Sequence, residues 1–201
     1  MVSVAHLTAS LRLVVATMLV CVVGYTLAIL GIAQLFPETA SGSLIRNDRG
    51  QIVGSARIAQ NFTSPGYFWP RPSAAGENGY DATAASGSNL SPTSPEVRER
   101  GREIVESFGA SESSPLPAEL AAASGNGLDP HITVAGARYQ VARVAGARDV
   151  SEDRINRLID ELAYTPGGFL TKTPIVNVLK LNLALDGLDV PGGDGSGEIA
   201  G

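Results

Sequence analysis

Between Leu13 and Phe36 the chain reads LVVATMLVCVVGYTLAILGIAQLF, without one charged residue. At about 1.5 Å per residue, a helix of this length extends about 36 Å. That crosses a hydrocarbon layer about 30 Å thick, with some tilt. In lipid every backbone N–H and C=O needs a partner inside the protein, so the run can sit there only as a helix. A cleaved secretory signal has a shorter apolar core, about 7 to 15 residues. Gly31-Ile32-Ala33 has the small-x-small form of a cleavage site, but the length favours a retained anchor. Positive charge stays on the cytoplasmic side of a membrane. Arg12 precedes the run and the first charge after it is Glu38, so the N-terminus is expected inside. The expected organisation is a cytoplasmic N-terminus (1–12), a transmembrane helix (13–36), an extracytoplasmic domain (37–190) and a disordered tail (191–201). The chain is then a single-pass protein of the cytoplasmic membrane.

Within the run, Thr17, Cys21, Gly24, Ala28 and Gly31 follow at steps of four, three, four and three. In a helix those steps stay on one side. Small side chains let another backbone approach closely, which is how helices associate in lipid. The stripe is therefore expected to face a partner helix. Val23-Gly24-Tyr25 is similar to the filter sequence of potassium channels, but a filter needs re-entrant carbonyls in four copies. Here the tripeptide occurs once, in mid-helix.

All 20 acidic residues and 14 of the 15 basic ones follow the run, giving that part a net charge of −6. An acidic surface argues against a nucleic-acid partner, which selects a basic face. Cys21 is the only cysteine and lies in the span, so the outer part has no disulfide and no thiolate metal site.

Ser43 to Arg46, Asn47 to Gly50 and Gln51 to Ile58 read as strand, turn and strand. Asn61 to Ser94 is dense in Gly, Pro, Ser and Asn, with no periodicity, a pattern more common in binding segments than in compact cores. Ser94-Pro95-Glu96 opens a helix with a capping hydroxyl, a first-turn proline and an acid. Val97, Ile104, Val105 and Phe108 form its apolar side, and Gly109 stops it. Ser111 to Pro117 is a loop, Ala118 to Ala123 a short helix, and Gly125-Asn126-Gly127 a turn. Val134 to Arg148 has helical spacing. Ser151 caps the next helix, stapled by Val150 and Ile155, with Ile155, Leu158, Ile159 and Leu162 facing a core. Ile175 to Leu185 alternates and is expected to be a strand, with a helix possible from Leu181. The fold class is α+β, with one N-terminal span and a soluble domain.

The chain holds no GxxxxGK[ST] loop, no GxGxxG after a strand and no GxSxG elbow. His131 is the only histidine after the span, with Asp129 beside it and Ser124 upstream. These three could be assembled into a triad, but triads are defined by geometry and need an oxyanion hole. Hydrogen-bonding turn roles for Asp129 and His131 are the simpler expectation. Ser86-Gly87-Ser88-Asn89-Leu90 carries small residues able to form an anion nest and is similar to the serine-glycine signature of ABC ATPases. By itself the signal is weak, and a plain loop is the simpler expectation.

In order along the chain stand one span, GYFWPRPSA (66–74), SGSNL (86–90), ASGNGLDPHI (123–132), QVARVAGAR (140–148) and VNVLKLNLALD (176–186). This series resembles the C subunit of the bacterial Kdp potassium-transporting ATPase, over nearly the whole chain. That family more often reads SGGSNLGPTNP where this chain has ASGSNLSPTSP (85–95). The resemblance implies a non-catalytic subunit of a high-affinity, ATP-driven potassium importer. Implied partners are a channel-like potassium-translocating subunit, a P-type ATPase subunit and a small single-span subunit. The family's description as a catalytic chaperone implies nucleotide contacts at Ser86, Gly87, Ser88 and Asn89. ATP would be shared with the ATPase subunit, with no tightly bound cofactor, metal or catalytic residue. Tyr67, Phe68 and Arg71 join the span's stripe as expected partner contacts. The outward orientation opposes direct ATP contact and favours coupling through conformational populations. A stand-alone anchored binding module or hydrolase is the alternative.

Overall fold

The computed structural model describes residues 3–47 and 49–188, so the tail expected at 191–201 lies outside the described residues. The chain divides into two compact units, one up to Leu44 and one from Ile45 onward.

The first unit is dominated by a helix from Val4 to Ala33, apolar and long enough to cross a membrane. It comprises α1 (Val4–Met18), a π-helical stretch (Leu19–Gly24) and α2 (Tyr25–Ala33). It starts upstream of the charge-free run, where the Ser3 hydroxyl caps it by accepting from the His6 N–H. Thr17 returns its hydroxyl to the carbonyls of Leu13 and Val14 at 3.0 and 2.9 Å, so this polar group needs no outside partner. A π turn holds more residues than an α turn. The π-helical stretch lies between Thr17 and Tyr25 and so contains Cys21 and Gly24 of the small-residue series. Pro37 then opens the short α3 (Pro37–Ala40).

β1 (Leu44–Arg46), which begins on the last residue of the first unit, and β2 (Ile52–Ser55) form the expected hairpin. Asn47 makes its turn, its side-chain oxygen accepting from Arg49 and Gln51 N–H. From Ala56 to Ser94 there is neither helix nor strand. α4 (Pro95–Ser107) begins as the sequence predicts, with the Ser94 hydroxyl accepting from Glu96 N–H. None of its residues is buried, however; of its expected apolar side Val105 is exposed, while Phe108, just past its end, packs on the core.

After the short α5 (Ala118–Ala121) the core is built from one motif used twice. β3 (His131–Thr133) runs directly into α6 (Val134–Arg148), and β4 (Ile175–Asn177) runs directly into α8 (Val178–Leu188). The strands pair antiparallel, His131 with Asn177, Ile132 with Val176 and Thr133 with Ile175. Each strand's last residue also caps the helix after it: Thr133 Oγ1 accepts from Gly136 N–H, and Asn177 Oδ1 from Lys180 N–H. The expected strand from Ile175 to Leu185 is thus corrected to a strand of three residues followed by a helix. Leu181, Leu185 and Leu188 are buried at steps of four and three, which a helix satisfies as well as alternation satisfies a strand. α7 (Glu152–Leu162) buries Ile155, Leu158 and Ile159 as expected, but the Ser151 hydroxyl makes no capping bond.

Candidate functional site

A turn at Ser64 to Tyr67, closed by the Tyr67 N–H donating to the Ser64 carbonyl at 3.1 Å, leads into an irregular stretch to Arg71. This strap lies on α6 and α8 with no strand beside it, so its remaining backbone groups must find side-chain partners. Two buried amides supply them. Asn182 on α8 accepts from Phe68 N–H at 2.8 Å and donates to Phe68 C=O at 3.0 Å. Gln140 on α6 does the same for Trp69, at 2.8 and 3.1 Å. Both amides are 1% exposed. Each side chain imitates the paired backbone of a neighbouring strand.

Two arginines hold the same segment from α6. Arg143 donates to the carbonyls of Pro65 and Tyr67 at 2.7 and 3.0 Å and lies 3.9 Å over the Trp69 ring. Burial pushes its pKa down to about 10, which leaves it cationic at neutral pH. Arg148 donates to the Gly66 carbonyl, pairs with Asp186 at 2.8 Å and lies 4.6 Å over the Tyr67 ring. Tyr67 completes the group by donating to Asp186 at 3.2 Å. Its pKa is raised, first by burial and then by that carboxylate. A shallow open depression of about 640 Å³ lies here, lined by Ser64, Tyr67, Arg148, Asp149, Arg154 and Asp186 among others.

Further along, Arg71 pairs with Asp129 at 3.1 Å, and Asp129 lies 3.4 Å from His131 Nδ1. The other ring nitrogen of His131 meets the Tyr164 hydroxyl at 3.0 Å. Burial works to raise the Asp129 pKa, but hydrogen bonds from the His131 side chain and backbone, with the Arg71 charge, hold it below the usual value. Tyr80 donates to the Arg71 carbonyl at 3.0 Å, and burial pushes its pKa up to about 12. Ser124 is 3% exposed, and its hydroxyl accepts from Asp129 N–H. The Ser124 hydroxyl is enclosed and meets the Asp129 backbone, while the His131 ring is engaged by Asp129 and Tyr164, so the two are not arranged as nucleophile and base.

SGSNL lies against ASGNG. A Cβ at Gly87 would stand 2.7 Å from the Gly125 carbonyl oxygen, and one at Gly127 (φ +72°) would stand 2.7 Å from Ser86 O and Ala75 N. Ser86 donates to the Gly87 carbonyl at 2.8 Å. The close stacking of two loops therefore accounts for the glycine at position 87. Ser88 is half-buried and Asn89 exposed, the latter with φ +50°.

Of the expected partner contacts, Tyr67 and Arg71 are half-buried and engaged in the bonds just described. Phe68 is corrected to a core residue: it is 0% exposed and has no surface to offer. The structure groups around this strap Gln140, Arg143, Arg148, Asn182 and Asp186, which lie within QVARVAGAR and VNVLKLNLALD but receive no individual role from the sequence. A polar residue on an otherwise apolar helix face, as at Gln140 and Asn182, was the available signal, because burying an amide demands partners.

A family model described as KdpC, the c chain of K+-transporting ATPases, matches residues 7–187. A protein of Parvibaculum lavamentivorans named potassium-transporting ATPase KdpC subunit is 55% identical, covering 92% of this chain and 97% of its own length. Proteins of the same name from Myxococcus xanthus and Serratia proteamaculans are 48% and 43% identical, covering 88% and 92% of this chain and 85% and 99% of their own lengths. The family match spans Ser64 to Arg71, all of α6 and all but the last residue of α8, and the chain belongs to the KdpC family of K+-transporting ATPase subunits.

Proposed function

We propose that this chain serves as a non-catalytic accessory subunit of an ATP-driven potassium importer. Its span anchors it, and its soluble domain stands outside the cytoplasmic membrane. The observation that carries this is the near full-length correspondence with proteins named as a subunit of a potassium-transporting ATPase. The partners are a channel-like potassium-translocating subunit, a P-type ATPase subunit and a small single-span subunit. The domain stabilises their assembly and raises the ATP affinity of the ATPase subunit. An outside domain cannot share a cytoplasmic nucleotide, so the coupling runs through the conformational populations of the complex.

The two routes to ATP affinity are separable. If the route is indirect, the complex without this chain has a raised KM for ATP, while Ser88→Ala and Asn89→Ala complexes keep the normal value. If Ser88 and Asn89 touch the nucleotide, those variants raise KM without dissociating the complex. A reporter fused to the C-terminus gives an independent reading; a cytoplasmic C-terminus would overturn the indirect route. A tagged chain, coexpressed with the complex and purified in mild detergent, should retain its three partners. Its recovery as a stable monomer alone would overturn the accessory role itself.

A further inference from the structure

We infer that Asn78 is a site of spontaneous deamidation, and that the fold protects the chain's other Asn-Gly pair, Asn126-Gly127, from the same reaction. In Asn-Gly the backbone nitrogen after asparagine, on losing its proton, attacks the side-chain amide carbon. A C–N bond closes a succinimide ring and ammonia leaves from the side chain. Water then opens the ring. Opening at the side-chain carbonyl gives aspartate; opening at the backbone carbonyl gives isoaspartate, with the chain running through the side-chain carbon. The net change is amide plus water to carboxylate plus ammonium, and water is the only reagent. Glycine favours the reaction because no side chain shields its nitrogen.

The structure treats the two pairs differently. Gly127 is buried and its N–H donates to the Ser124 carbonyl at 3.2 Å. Asn126 Oδ1 accepts from Leu128 N–H at 2.9 Å, so its side chain is tied down and must release that bond to rotate. A Cβ on Gly127 would stand 2.7 Å from Ser86 O and Ala75 N, so the backbone here is packed against a second loop and has little freedom to rearrange. Asn78 instead is exposed in the bend of Glu77-Asn78-Gly79, and among the described residues neither Asn78 nor Gly79 has a hydrogen-bond partner. Its reacting nitrogen is therefore available without local unfolding.

The bend matters because it positions Tyr80. Tyr80 N–H donates to Ser73 Oγ at 2.7 Å, and its hydroxyl supports the Arg71 carbonyl. A Cβ at Gly79 (φ +75°) would stand 3.2 Å from the Ser73 carbonyl oxygen, so the bend is close-fitting. Isoaspartate adds one backbone carbon at its tip, which displaces Tyr80 and with it the support of Arg71.

The test incubates the full-length chain in detergent at mildly alkaline pH, folded in one sample and denatured in urea in another. Peptide mass mapping and enzymatic methylation of isoaspartate track both sites. Expected is conversion of Asn78 about tenfold or more faster than Asn126 in the folded chain, since reaction at Asn126 requires a local opening. In urea the two rates converge. Equal rates in the folded chain, conversion of Asn126 first, or an Asn78 that stays intact while both sites convert in urea would each overturn the inference. A difference that persists unchanged in urea would overturn it too, because the cause would then be local sequence and not the fold.

Discussion

An amide among leucines is costly unless its polar atoms are matched, and Asn182 is matched by both backbone groups of Phe68. Asn182→Ala leaves those groups buried without partners. The expected loss is about 2–4 kcal/mol, read by chemical denaturation of the chain in detergent; a change within about 0.5 kcal/mol would mean the strap finds other partners. Asp129 carries a different expectation. Its pKa is depressed in the folded state, so its contribution is complete above the ordinary carboxylate range near 4 and is lost as pH falls through the folded value. Asp129→Asn should therefore flatten the stability profile at the acid end and leave the shape near neutrality unchanged. At this scale the sequence was only partly legible. Gln140 and Asn182 stand in motifs that invite reading for apolar spacing, and the bonds that explain them reach residues far away in the chain.

Elements whose signals are local were legible to within a residue or so. Ser94-Pro95-Glu96 starts α4, and α6 runs from Val134 to Arg148 as its spacing predicts. β4 and α8 were not, because alternation and helical spacing both place leucines where Leu181 and Leu185 stand; the deciding signal was Asn177 as a helix cap, an ordinary residue until its bond to Lys180 N–H is seen. The loop pair 86–90 and 123–127 is another element-scale feature that spacing does not reveal. Gly87→Ala would press a methyl group on the Gly125 carbonyl. The expected cost is about 1–3 kcal/mol, measured by thermal unfolding, with assembly weakened in proportion. An unchanged melting temperature with altered ATP KM would instead make Gly87 a ligand contact.

For the whole molecule, the proposal of a partner-facing span makes its own demand. Gly24 and Ala28 lie at the end of the π turn and in α2, exposed as the chain stands by itself. Gly24→Leu and Ala28→Leu should lower recovery of the intact complex about tenfold. Unchanged recovery with both variants would remove the small-residue stripe as a partner face. The sequence by itself determined the span, the starts of the capped helices and the family, because each depends on composition or on residues a few positions apart. Only the tertiary structure decided that Phe68 is core, that two amides clamp the strap, and that the SGSNL glycine answers to a neighbouring loop. Those features join residues as far as 114 positions apart. Such pairings arise when polar groups brought together by burial must satisfy one another, and no local pattern encodes which partner each will meet.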